Sequence, residues 1–206
     1  MLSKSIAIQR RGIGSRIAFV VCGPSGAGKN SVIERVMQIL PGLAFSVSYT
    51  TRARRVSEIA GKDYHYISRL EFDQLTARKE LIEHVTYLGD QYGTSLPQVM
   101  EVFRQGKDVI LNIDVNGAKL LKNRESTDFS AVYVFLTTSS LDILKERLQE
   151  RGTENETQIS ARLELSAQEM KALPLFDYLV LNDTFSAAVD ELQSIIIAER
   201  ARIRIA

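Results

Sequence analysis

Tryptophan is absent from this sequence, cysteine occurs once and proline four times. With Cys22 as the single thiol, an internal disulfide framework is excluded and the fold must rest on its own core. No apolar run approaches the roughly 20 residues that cross a bilayer. Nor does one sign of charge dominate, since 26 basic and 25 acidic residues leave a formal net charge of +1. That balance excludes a general field drawing the whole molecule onto nucleic acid or a membrane, so any anion must be gripped locally. A cytoplasmic address is the expectation. The oligomeric state is not set by the sequence, and a homo-oligomer stays open.

What is present is ordinary for a compact soluble domain: 45% hydrophobic and 25% charged side chains over 206 residues. The first sixteen residues, MLSKSIAIQRRGIGSR, contain basic residues and serines but no acid. They read as a flexible tail, with an organelle transit peptide as the weaker match. Next, IAFVVC over 17–22 is a short apolar run of buried-strand type. Val32, Ile33, Val36, Ile39 and Leu40 then recur at helical spacing until Pro41 and Gly42 stop them. DVILNID over 108–114 predicts a second central strand, and 131–136 and 178–181 two more, each followed by a helix (141–149 and 186–203). Strands alternating with helices predict a parallel sheet wrapped on both faces. Between Phe45 and Met100 short alternating segments surround a helix over 71–77 that Ser68 and Glu71 can cap, which predicts a strand-rich insertion. The polar block RGTENETQISAR, 151–162, reads as an exposed connection between two helices.

The segment GPSGAGKNS comprises Gly23, Pro24, Ser25, Gly26, Ala27, Gly28, Lys29, Asn30 and Ser31, and it follows the first strand and opens the first helix. Gly23, Gly28 and Lys29 satisfy GxxxxGK. In that context glycines let backbone N–H groups converge on phosphate oxygens, the helix N-terminus adds its positive end, and Lys29 supplies a mobile cation for the outer phosphates. Asn30 stands where such loops place the serine or threonine that ligates magnesium. Its amide oxygen sits one bond farther from Cβ than a hydroxyl would, so it needs a different metal position or an intervening water.

Downstream, SVSYTTRARR, EIAGKDYHYIS, ELIEHVTYLGDQYGTS, NIDVNGAKLL, LKERLQERGTENETQISARL and FDYLVLND follow in order. Together with the loop they resemble the guanylate kinase family over about residues 17 to 200. The resemblance implies a P-loop NTPase three-layer fold with a core over 17–45, 101–149 and 173–206, a GMP-binding subdomain over 46–100 and a lid over 150–172. It also implies the reaction of ATP with GMP to give ADP and GDP, with Mg2+ accompanying ATP.

Residue by residue, Glu83 matches the family's guanine-reading acid. One carboxylate can accept from both guanine N1–H and the 2-amino group, whereas adenine offers it a repelling lone pair at N1. Ser48 and Thr94 match hydroxyls that bond the base, and Asp114 an acid near the base edge and the metal. Arg52, Arg55, Tyr64 and Tyr92 match the clamp on the GMP phosphate, where guanidinium forks and phenolic hydroxyls suit a dianionic monoester. Arg151 and Arg162 match arginines that close on the transferring group, and Arg147 one near ATP. The expected catalytic set is Lys29, Arg52, Arg151 and Arg162, with Asn30 and Asp114 toward the metal, directly or through water.

Departures accompany the match. Arg54 and Ser57 replace a common proline and glycine in the clamp loop, and Asn112 replaces the first acid of an acidic pair ending the central strand. With Asn30, that predicts weaker magnesium affinity with catalysis retained. Cys22 reads as an inert core thiol, His65 and His84 as isolated side chains, and Asn182–Asp183 either as a turn or as the family's motif near adenine. Two rival readings are a ribose 1,5-bisphosphate phosphokinase, which has no use for a guanine-reading acid, and a non-catalytic guanylate-kinase-like binding module.

Overall fold

The computed structural model describes residues 17–56, 58–87, 89–124, 129–150, 152 and 155–203; the N-terminal segment 1–16 lies outside them. Nine strands and seven helices are described. In chain order they are β1 (Ile17–Cys22), α1 (Lys29–Ile39), β2 (Leu43–Phe45), β3 (Tyr49–Thr50), β4 (His65–Tyr66), α2 (Arg69–Ala77), β5 (Leu81–Tyr87), β6 (Asp90–Ser95) and α3 (Leu96–Arg104). Then come β7 (Asp108–Asn112), α4 (Val115–Lys122), β8 (Ser130–Thr137), α5 (Leu141–Glu150), α6 (Glu156–Met170), β9 (Tyr178–Leu181) and α7 (Phe185–Ala201).

Five strands form one sheet in the order β2-β7-β1-β8-β9, and every pair in it is parallel. All six residues of β1 are buried, because helices cover both faces of this central strand and leave no wet side on which a polar residue could alternate. Ile17, Phe19 and Val21 face one core with Val32, Ile33 and Val36 of α1 and Leu192 and Ile196 of α7. Ala18, Val20 and Cys22 face the other with Val99 and Phe103 of α3 and Ala118 and Leu121 of α4. The period of two along β1 thus assigns its side chains to two layers. One end of the sheet is tied by Asp108, wholly buried, which accepts from Ile17 N at 3.1 Å and from Arg200 Nε of α7 at 2.8 Å.

The insertion forms a second sheet in the order β4-β3-β6-β5, with β5 and β6 antiparallel. Helix α2 packs Phe72 beneath it and starts at a capping box, in which Ser68 Oγ accepts from Glu71 N while Glu71 bonds back to Ser68 N. The polar block at 151–162 differs from its reading as a connection. From Glu156 it is helical, opened by a second capping box between Asn155 and Gln158, and Ile159 packs on Leu144 and Leu148 of α5. Local capping and one apolar contact outweigh the polar composition there. The strand read over 108–114 ends at Asn112, because Asp114 is already the N-cap of α4.

Candidate active site

β1 delivers the chain straight into the glycine loop. Gly23 has φ 139°, and a Cβ there would stand 1.9 Å from the Leu136 carbonyl oxygen of β8, so the loop can leave the sheet this closely only as glycine. Gly28, at φ 85°, is the N-cap of α1, whose first turn carries no side-chain cap, so the first N–H groups of the helix lie where the loop ends. Asn182, buried just beyond β9, donates from Nδ2 to the Ala27 carbonyl at 2.7 Å and braces the far side.

Lys29 does not stand out as a mobile cation. Its ammonium is folded against its own loop, donating to the carbonyls of Gly23 at 2.5 Å and Pro24 at 2.9 Å. Burial lowers its pKa from the ordinary lysine value, opposed by the nearby carboxylate of Glu169. Ser25, at the exposed tip, accepts from Arg162 Nη1 of α6 at 2.5 Å, so α6 reaches the loop. On α5, Arg147 donates to the Asp183 carbonyl at 3.3 Å. Asn30 and Ser31 are exposed in the first turn of α1. The amide oxygen of Asn30 accepts from Asn112 Nδ2 at 2.6 Å, which joins the two asparagines singled out in the sequence. Beside them Asp114 caps α4, its Oδ1 accepting from Gly117 N at 2.6 Å. Arg151 lies outside the described residues.

A second cluster occupies the inserted sheet. Thr94 on β6 pairs with Glu83 on β5, and its hydroxyl donates to Glu83 Oε1 at 2.6 Å while standing 3.4 Å from Ser48 Oγ. Glu83 is 6% exposed. Burial, with Asp114 adding to it against the Thr94 bond, pushes its carboxyl up to about 7. Arg52 stacks 5.6 Å from the Tyr64 ring centroid, and Tyr64 meets Tyr92 edge-to-face at 5.9 Å. These aromatic walls frame the Arg52 guanidinium in a compact corner. Arg55 has an exposed side chain at its rim.

Sequence reasoning missed the acid at the centre of this corner. Glu58 takes Arg52 Nη2 at 2.7 Å on Oε1, and Arg55 N and Tyr66 Oη, each at 2.8 Å, on Oε2. Burial alone would raise its pKa, yet the bond from Arg52, followed by those from Arg55 and Tyr66, holds it down to about 2. Arg54, read as a departure, donates from Nη1 to the Glu58 carbonyl at 2.6 Å and tightens the same turn. The available signal was a lone acid within the arginine-rich stretch RARRVSE. Glu169 was missed as well; it is half-buried on α6, and burial raises its carboxyl with Lys29 opposing.

A parallel sheet whose central strand feeds a glycine loop into a helix N-terminus, with a lysine at that loop and an arginine from a later helix reaching it, defines a P-loop NTPase. The family model for guanylate kinase matches residues 15–199. Among curated relatives, the guanylate kinase of Thermotoga maritima is 41% identical over 90% of this chain and 88% of its own. That of Geobacter metallireducens is 39% identical over 90% of each. The crystal structure of guanylate kinase from Anaplasma phagocytophilum superposes with a TM-score of 0.72 at 28% identity, covering 92% of this chain and 88% of that one. The chain belongs to the guanylate kinase family.

Proposed function

We propose that this chain is a cytoplasmic enzyme that transfers the γ-phosphoryl group of ATP to GMP. An oxygen of the GMP phosphate bonds to the γ-phosphorus, the bond to the β–γ bridging oxygen breaks, and ADP leaves with that electron pair. The attacking oxygen is already ionised, so no general base is needed, and the protein's task is alignment and positive charge. Residues 23–31 with Arg147 bind ATP, and Lys29, Arg52, Arg151 and Arg162 surround the group in flight. Residues 46–100 bind GMP and 150–172 act as a lid whose closure expels water.

The observation that carries this reading is Glu83, a buried carboxylate fixed by Thr94 within reach of Ser48, on the same sheet as the Arg52–Tyr64–Tyr92 corner. A purine with two adjacent N–H donors matches the first group and a phosphate monoester the second. Ser48, Glu83, Thr94 and Asp114 take the base; Arg52, Arg55, Tyr64 and Tyr92 take the phosphate.

Mg2+ belongs with ATP in this reading. Among the described residues no three His, Cys, Asp or Glu side chains gather as a metal cage. Beside the loop stand Asn30, Asn112 and Asp114, whose ligating atoms would all be oxygens. That set fits a hard ion that keeps water and takes most of its ligands from phosphate. When bound, it neutralises phosphate charge; Asp114 and Asn30 would hold it, the latter through water.

A coupled ADP-release assay with GMP, AMP and ribose 1,5-bisphosphate tests the assignment. Turnover with GMP alone supports it. Turnover with the sugar bisphosphate supports the ribose-phosphokinase reading, and none with any acceptor supports a binding module.

A further inference from the structure

Gly117 is the third residue of α4, and its glycine is not demanded by its own backbone, because it lies within a regular helix and has no positive φ. A glycine there is unfavourable relative to alanine unless something needs the space. Two groups do. A Cβ at 117 would stand 2.7 Å from Glu83 Oε2, 3.3 Å from Glu83 Cδ and 3.2 Å from Asp114 Oδ1. The first distance is well inside van der Waals contact, and Glu83 has little room to yield. Its Oε1 is held by Thr94, its backbone lies in β5 paired with β6, and its side chain is buried. The carboxylate therefore rests directly on the first turn of α4, near the positive end of the helix dipole and beside the Asp114 cap.

We propose that Gly117 is the positioning residue for base selectivity: its missing Cβ lets the Glu83 carboxylate seat with Oε1 on Thr94 and Oε2 against α4, which fixes the orientation in which it meets the base. The proposal rests on the reading of Glu83 as the guanine reader. Adding a methyl group would lever the carboxylate off the helix and break the pair of parallel hydrogen bonds that N1–H and the 2-amino group require.

The test is Gly117→Ala, assayed with GMP, with IMP, which lacks the 2-amino group, and with ATP as the varied substrate. KM for GMP should rise roughly 10–100-fold, the loss of one or two bonds to a charged group, with KM for ATP unchanged and the GMP-over-IMP preference in kcat/KM collapsing by a similar factor. In a Glu83→Gln background the same substitution should no longer move that preference. An unchanged GMP-over-IMP ratio in Gly117→Ala, or equal losses for GMP and ATP, overturns the proposal. Should Glu83→Gln by itself leave GMP use intact, the guanine-reading role of Glu83 falls instead. If Gly117→Ala folds poorly, Glu83→Asp/Gly117→Ala should regain thermal stability, because the shorter acid vacates the space; failure to regain it also overturns the proposal.

Discussion

Asn112 Nδ2 donates to Asn30 Oδ1 at 2.6 Å, joining the end of β7 to the first turn of α1 across 82 residues of sequence. Both side chains are neutral, and each occupies hydrogen-bonding capacity of the other beside the glycine loop, where the proposed function puts Mg2+. Asn112→Asp would replace the donor with an anionic oxygen and turn the Asn30 amide to face it. The expected outcome is a severalfold tighter Mg2+ or Mn2+ association with the ATP complex and an unchanged KM for GMP. Manganese titration followed by electron paramagnetic resonance checks it; identical metal affinity in the two proteins would show that the pair does not set it.

Glu58 holds Arg52 by its side chain and Arg55 by its backbone. Glu58→Gln leaves one acceptor oxygen for three donors and removes the charge that orients the guanidinium. A hydrogen bond to a charged group is worth about 1.5–3 kcal/mol, so KM for GMP should rise roughly 10–100-fold while KM for ATP stays within a factor of two or so. Steady-state kinetics with each nucleotide varied in turn separates this from general loosening, which would raise both.

The carboxyl of Glu83, raised to about 7 by burial and Asp114, gives a sign for pH dependence. The folded protein retains this proton above the ordinary carboxylate range while the unfolded chain has released it, so the linked stability falls as pH rises from that range toward 7 and is level beyond. GMP binding runs the other way. Its base needs the ionised form, so affinity should increase as pH passes through about 7, with a proton released on binding. Calorimetry in buffers of different ionisation enthalpy reads that proton. The GMP phosphate also titrates near pH 6 or so, but only the step due to Glu83 should vanish in Glu83→Gln.

Lys29→Met removes the cation at the loop and leaves the inserted sheet untouched. Loss of one preorganised donor to a developing charge costs about 10²–10³ in kcat, and at least that is expected here, with GMP affinity by calorimetry unchanged. A parallel loss of GMP binding would mean that Lys29 supports the fold of the second site.

Strands buried on both faces announced themselves. IAFVVC became β1 residue for residue, because an apolar run with no wet side has few other destinations; YLVL became β9 at the sheet edge, where only Val180 of the four is buried. Ser68 and Glu71 marked the start of α2 for a similarly local reason. The first part of helix α6, from Glu156, was hidden by its polar composition, although Ile159 and Leu163, four apart, were its legible stripe. Within the candidate site, Glu83, Ser48 and Thr94, named from the motifs that carry them, are brought together by the fold. Glu58 and Gly117 were not singled out, and for one physical reason. What they do depends on a group brought opposite by the fold: Tyr66 across a turn for one, Glu83 across two elements for the other. No periodicity records such a meeting.

The brace from Asn182 to the Ala27 carbonyl spans 155 residues of chain. Emerging from a ribosome, the polypeptide therefore exposes its glycine-rich turn long before the segment that steadies it has been made. Until residue 182 is synthesised and laid down at the edge of the sheet, that turn lacks one of its walls.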